Sequence, residues 1–330
     1  MKRTITYLST TLSALLLAAA LAPAQESRLD GPVSGLVYDE QAHAIRAIVG
    51  VPGAAYLGAS LLADLDFATV SPNGRFALAL KEGKLSLLSL SGELTTEAIA
   101  ENYPTPALSS WTADSDAVAI YGAEAGIALW RSLGSSREAA HLGTPQAKLS
   151  TMILEDGARS VVYVADGDAS DSVFRAAEGA EPALLFQGLD IPALATANRA
   201  VYIADKGNHT VSVARDNGGA VEIAQLANEA LGVNDPVGLA VLGDALLVAS
   251  GANHELIRLN ASTGELLGRV ALEFAPDRMV RLTMGADGVS PLFSLKGRET
   301  AADPFEVLDA ARGAVFFVPA ADAVSVAVEE

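Results

Sequence analysis

Four histidines and one dense acidic turn are the residues of this 330-residue chain whose types and spacing suit chemistry beyond packing. His209 and His254 stand 45 residues apart, each directly after an Asn, as Asn208-His209 and Asn253-His254. A histidine pair on one rim can hold a metal ion, or act as acid and base near neutral pH. The competing reading is a turn: the Asn side chain closes local backbone hydrogen bonds and the imidazole is packed or solvated. The acidic turn reads Asp166-Gly167-Asp168-Ala169-Ser170-Asp171. Oxygen ligands at alternate positions can wrap Ca²⁺, the one cofactor the sequence suggests. The loop departs from an EF-hand, with Asp171 at its sixth place and Ala177 at its twelfth instead of Gly and Glu, so a solvated hairpin turn competes with the calcium reading. The metal candidates are thus Asp166, Asp168, Asp171, His209 and His254, and no catalytic residue is assigned. His43 and His141 share no spacing with the other two. There is no Gly-x-Ser-x-Gly elbow for a hydrolase nucleophile. With no cysteine in the chain, thiol nucleophiles, cysteine zinc sites, iron–sulfur clusters and disulfides are excluded.

The elements that must position these residues recur along the chain. A turn of Asp, Asn or Gly precedes a short apolar run each time: Ser71-Pro72-Asn73-Gly74 before 76–80, Asp114-Ser115-Asp116 before 117–121, Glu155-Asp156-Gly157 before 161–165. Asn198, Gly243-Asp244 and Ala286-Asp287-Gly288 continue the series. Markers at Gly74, Asp116, Gly157, Asn198, Asp244 and Asp287 fall at intervals of 42, 41, 41, 46 and 43 residues. Such residues accept the positive φ and local hydrogen bonds of tight turns. Short β-rich runs closely spaced, with no long helical period between them, give an all-β fold. A period near 42 residues holding four short strands predicts a β-propeller blade. The chain then holds about seven four-stranded blades. Six lie between Leu65 and about Pro319, and the seventh is shared between the termini. Its N-terminal part is a hairpin at 35–49, and a spare C-terminal strand at 323–328 completes it, which closes the ring without exposed edges. The helix candidates at 93–102 and 225–231 read as outer strands or loops. Asp64 and Asp66 read as alternate residues of a strand, Trp130 as core, and Trp111 as packing between blades or a surface anchor.

The run Val201-Tyr202-Ile203-Ala204-Asp205-Lys206-Gly207-Asn208-His209-Thr210-Val211-Ser212-Val213 resembles an NHL-type repeat: an apolar strand ending in Asp, a Gly-Asn-His turn and a Val-rich strand. Looser copies stand at 161–174 and 246–259. The resemblance is shared with YVTN-type bacterial propellers, while the dipeptides that mark WD40 blades are absent. It implies a scaffold whose relatives mostly bind proteins or other ligands, with a minority of enzymes. Lactonase-type propellers hold a divalent metal on the central axis with Glu, Asn and Asp. Asp205, Asp235, Asn198, Asn234 and Asp244 sit in connectors where such residues would be sought.

Lys2 and Arg3, the apolar stretch 8–21 and Ala22-Pro23-Ala24 read as a signal peptide cleaved after residue 24. Residues 25–330 then form one propeller domain. Losing Lys2 and Arg3 takes the net charge from -18 to -20, which disfavours nucleic acid as a partner. The apolar stretch is short of the roughly 20 residues that span a bilayer. The expectation is an exported, periplasmic or extracellular, non-enzymatic propeller that binds a protein or a small ligand at one rim. The alternative is a metal-dependent hydrolase or lyase with its site on the central axis. A structural envelope protein is a third reading.

Overall fold

Short apolar runs between Asp, Asn and Gly turns fold into antiparallel meanders, and seven of these form a ring in the computed structural model, a seven-bladed β-propeller. The structure describes residues 32–216, 220–284 and 291–320. Blade 1 comprises β1 (Val33–Asp39), β2 (Ala44–Val51) and β3 (Ala54–Leu62). Blade 2 comprises β4 (Phe67–Val70), β5 (Phe76–Lys81), β6 (Lys84–Ser89) and β7 (Thr95–Ala100). Blade 3 follows as β8 (Leu108–Trp111), β9 (Val118–Gly122), β10 (Gly126–Arg131) and β11 (Glu138–His141). Blade 4 is β12 (Leu149–Leu154), β13 (Ser160–Ala165), β14 (Asp171–Ala177) and β15 (Ala183–Gly188). Blade 5 is β16 (Ala193–Ala197), β17 (Ala200–Asp205), β18 (Thr210–Asp216) and β19 (Val221–Ala227). Blade 6 is β20 (Pro236–Leu242), β21 (Ala245–Ser250), β22 (Glu255–Asn260) and β23 (Leu266–Ala271). Blade 7 is β24 (Val280–Met284), β25 (Pro291–Ser294), β26 (Phe305–Asp309) and β27 (Ala314–Val318). The turn markers fall between the first and second strands of blades 2 to 6; the sixth, at Asp287, lies outside the described residues.

Burial explains the sequence texture. A second strand is covered on both faces by the neighbouring blades, so it reads as a continuous apolar run rather than an alternation. Every residue of β9, β17 and β21 is buried. Outermost strands meet water, and β7, β11 and β23 carry mostly exposed residues. The helix candidate at 93–102 is β7, and the one at 225–231 ends β19 before a short 3₁₀ turn, Glu229–Leu231. That turn is capped by Asn228, whose Oδ1 accepts from the Ala230 N–H at 3.0 Å.

Blade 1 departs from the expectation in two ways. It is a three-stranded meander, because the run after Pro52-Gly53 forms β3 instead of ending the unit as a hairpin at 49. It also runs the other way. Leu36 donates its N–H to Thr283 Oγ1 at 2.6 Å, near the far end of β24. Farther along β1, Tyr38 reaches Leu65 and Phe67 at the start of β4. Asp39 pairs with Arg298, in the loop joining β25 to β26 at the end where β24 begins. β1 is therefore antiparallel to the innermost strands on both sides, the polarity of a second strand elsewhere in the ring. Among the described residues, no strand fills the innermost place of blade 1. Asp64 and Asp66 also fall in the linker between β3 and β4 rather than on a strand, because Asp64 turns the chain at φ 57° and Asp66 accepts the Glu82 N–H at 2.7 Å.

Two devices join the ends of the ring. Past β27, the Leu57 N–H donates to Pro319 O at 2.9 Å, and Ala320 forms a parallel bridge with Leu57. The expected closing strand at 323–328 lies outside the described residues. Beside this, Asp39 is gripped by Arg298 of blade 7 at 2.6 Å and by Arg46 of β2 at 3.2 Å. Arg298 also lies 4.8 Å from the Phe305 ring centre, a cation–π contact.

Candidate functional site

The histidines of the sequence pattern sit in turns of one design. A strand ends in a polar residue, three residues turn, and a histidine takes a left-handed backbone before the next strand. The units are Asp39 to His43, Asp205 to His209 and Ser250 to His254, with histidine φ values of 48°, 52° and 53°. The buried Asp205 carboxylate accepts from the Asn208 N–H at 3.0 Å and from the Asn208 side-chain amide at 2.7 Å. This is why the repeat spells Asp-x-x-Asn-His: the carboxylate closes the turn and the amide completes it. His43 belongs to the series, which blade spacing alone hid; the signal is the four-residue step from strand-ending Asp or Ser to His.

The His209 imidazole reaches the neighbouring blade connector. His209 Nδ1 accepts from the Asp235 N–H at 3.2 Å, and Nε2 stands 3.9 Å from Glu229 Oε1. Lys206 and Asp235 pair at 3.4 Å across the same junction of blades 5 and 6. His209 and His254 therefore occupy equivalent turns on one rim. Asp205 and Asp235 are part of this turn architecture and do not line the channel.

In the acidic turn, Asp171 is committed to backbone N–H groups of the turn and of the connector that follows β15. Asp171 Oδ2 accepts from Ile191 N–H at 2.8 Å and Oδ1 from Gly167 N–H at 3.4 Å, while Asp168 is exposed. Among the described residues no group of three or more His, Cys, Asp or Glu gathers where a metal ion could be held. The structure thus does not bring Asp166, Asp168, Asp171, His209 and His254 into one constellation.

What the ring does bring together is an axial channel of about 450 Å³, walled by the innermost strands of blades 2 to 7. Its wall is fastened across blades. Trp111 Nε1–H donates to Thr69 Oγ1 at 2.9 Å, and Ser109 Oγ stands 3.0 Å from the same oxygen. Leu154 N–H donates to Ser110 Oγ at 2.8 Å. Trp111 therefore packs between blades, as one sequence reading held, with its indole on the channel; Trp130 is buried core. Apolar Val70, Leu108, Leu194 and Val241 share the wall with Ser150 and Thr196. Its charged residues are Arg278, Arg281 and Asp156. Channel solvent reaches Arg281, yet protein walls surround it; this burial lowers its pKa from the ordinary guanidinium value, with Asp156 opposing. The two arginines were missed in the sequence; the signal was Asp277-Arg278-Met279-Val280-Arg281 opening an innermost strand in an acidic chain.

No protein-family model matches the chain, and no curated protein matches it. Solved structures match it in number, 1406 chains in all. One is the hydrazine synthase of Kuenenia stuttgartiensis, 10% identical, with a TM-score of 0.53, covering 91% of this chain and 99% of that one. Another comes from a nidogen/laminin complex, 12% identical, with a TM-score of 0.45, covering 72% of this chain and 93% of that one. At 10% identity the likeness to the hydrazine synthase shows a shared fold and no activity. Among the described residues, no helix is long and apolar enough to cross a membrane.

Proposed function

We propose that this chain is an exported, non-enzymatic propeller of the NHL or YVTN kind that binds a small ligand in its axial channel. The channel carries the reading. Its volume of about 450 Å³ lies within the roughly 300–1,000 Å³ of small-molecule sites. Apolar wall and a few placed polar groups are the composition such sites use. Hydrogen bonds between neighbouring blades hold the wall before any ligand arrives, so little ordering opposes binding. The Asp205–Asn208 turn supports the NHL-like reading of the repeat. Export rests on residues 1–24 as a signal peptide, with 25–330 as the mature domain.

A ligand-observed NMR screen of small organic fragments against the wild-type protein and a Thr196→Trp variant tests this. Thr196 lines the channel and is half-buried, so a tryptophan there fills space without cutting the core. The expected result is a set of fragments that bind the wild type and lose binding in the folded variant. Fragments that ignore the substitution, or no binding at all, would overturn the channel as the site. Elemental analysis of the purified protein gives the check on the enzyme alternative: a stoichiometric divalent metal on the axis contradicts the binding reading.

A further inference from the structure

Arg281 is a charged side chain of the channel left uncommitted among the described residues. It makes no hydrogen bond or ion pair with any described residue, and Asp156 is the opposing charge that acts on it. Arg278, three residues earlier and just before β24, also lines the channel. Its Nε is buried without a hydrogen-bond partner among the described residues, and Asp277 Oδ1 stands at 3.7 Å, beyond hydrogen-bond reach. A buried guanidinium nitrogen left unpaired is costly, and the Arg278 Nε, with the solvent-reached Arg281 on the same wall, points to an acceptor in the channel. The surrounding charge makes the placement more telling. The chain carries 40 acidic against 22 basic residues, yet the channel wall holds two arginines and one aspartate. A cation entering on this axis meets repulsion from both arginines, whereas an anion is drawn out of an acidic surround into a basic one.

We infer that the ligand of the channel is a small organic oxyanion, a carboxylate or a phosphate monoester on an apolar body, received by Arg281 and Arg278. Guanidinium forks match the two oxygens of such groups in bidentate geometry. Val70, Leu108, Leu194 and Val241 offer apolar wall to the body of the molecule. Arginine keeps its charge at every physiological pH, so capture needs no protonation step. The inference rests on the channel being the binding site, and narrows it to one chemistry.

Isothermal titration of the full chain with benzoate, phenyl phosphate and neutral benzyl alcohol tests it, repeated on Arg281→Gln and on Thr196→Trp. Thermal unfolding by circular dichroism verifies that each variant is folded. The wild type is expected to bind at least one of the two anions about ten-fold more tightly than the alcohol, the worth of one charge-assisted hydrogen bond over a neutral one. The benzoate and phenyl phosphate arms decide between carboxylate and phosphate. Arg281→Gln is expected to abolish the preference and Thr196→Trp to abolish binding. An alcohol bound as tightly as both anions, or a preference untouched by Arg281→Gln, would overturn the oxyanion assignment while leaving the channel as the site. Binding of every probe that survives Thr196→Trp, or no binding of any, would overturn both.

Discussion

Replacing Asp39 by Asn tests how the ring is closed. The Asp39 side chain is 1% exposed and that of Arg298 4%, so water screens their 2.6 Å contact little. Arg46, 12% exposed, makes the second contact at 3.2 Å. Asn keeps an oxygen to accept the Gln41 and Ala42 N–H groups that Asp39 now accepts, so the turn survives and the change isolates the charge. Removing one partner of a buried pair costs about 3–5 kcal/mol, because the other charge stays buried alone. Arg298 retains the carbonyls of Asp303 and Ala301 and the Phe305 ring, which places the expected loss near the lower end, about 3 kcal/mol. Asp309→Asn is the matched control. Asp309 caps the β26–β27 turn through the Arg312 N–H and is fully buried, but its Arg312 partner is 57% exposed. Solvent screening reduces that loss to about 1 kcal/mol. Urea unfolding followed by circular dichroism measures both. In a double-mutant cycle, Asp39→Asn with Arg298→Met should cost less than the two single changes together. Equal losses for Asp39→Asn and Asp309→Asn, or additive losses in the cycle, would refute the reasoning.

Thr69→Val removes the acceptor of Trp111 Nε1–H and the partner of Ser109 Oγ; a loss of about 1–3 kcal/mol in urea unfolding is expected, with a shifted tryptophan emission. His254→Gly should stabilise the fold by up to about 1 kcal/mol, since Gly adopts the left-handed backbone without the cost a Cβ brings; a loss in thermal unfolding would show that the imidazole carries a role the turn reading denies. Gly126→Ala should destabilise by more than about 1 kcal/mol, because φ is +70° and an added Cβ meets the Gly143 carbonyl oxygen at 2.5 Å. Glu306 is held above its ordinary carboxylate pKa, chiefly by burial, with Asp277 and Asp303 adding to the rise and a backbone hydrogen bond and Lys296 opposing it. Its raised folded value means that ionisation weakens the folded state as pH rises through that value. Glu306→Gln should therefore match the wild type in acid and exceed it at neutral pH in thermal unfolding.

The repeat was legible because a tight turn needs Asp, Asn or Gly wherever it occurs, so the junctions of first and second strands print themselves at a near-constant interval. Ser71–Gly74, Asp114–Asp116 and Glu155–Gly157 all mark such junctions. Blade 1 was less legible because its described part opens on a strand with second-strand polarity, and so carries no such marker; β3 went unread after Pro52-Gly53. His43 was set aside for the same reason, although its turn matches that of His209. The channel was not legible. Its wall is assembled from six strands about 42 residues apart, and only ring closure decides which side chains of a buried strand face the axis. Arg278 and Arg281 look like ordinary surface charges until β24 is placed innermost.

Tryptophan emission reports directly on the channel, because the chain has two tryptophans and only Trp111 lines it. In a Trp130→Phe background, 4-nitrobenzoate, which accepts energy from indole, can be titrated against Trp111 alone. Saturable one-to-one quenching that weakens about ten-fold in Arg281→Gln and disappears in Thr196→Phe, which fills the same space without adding an indole, is the predicted result. Quenching that rises linearly without saturation and is the same in all three proteins would contradict a ligand site on the axis of this propeller.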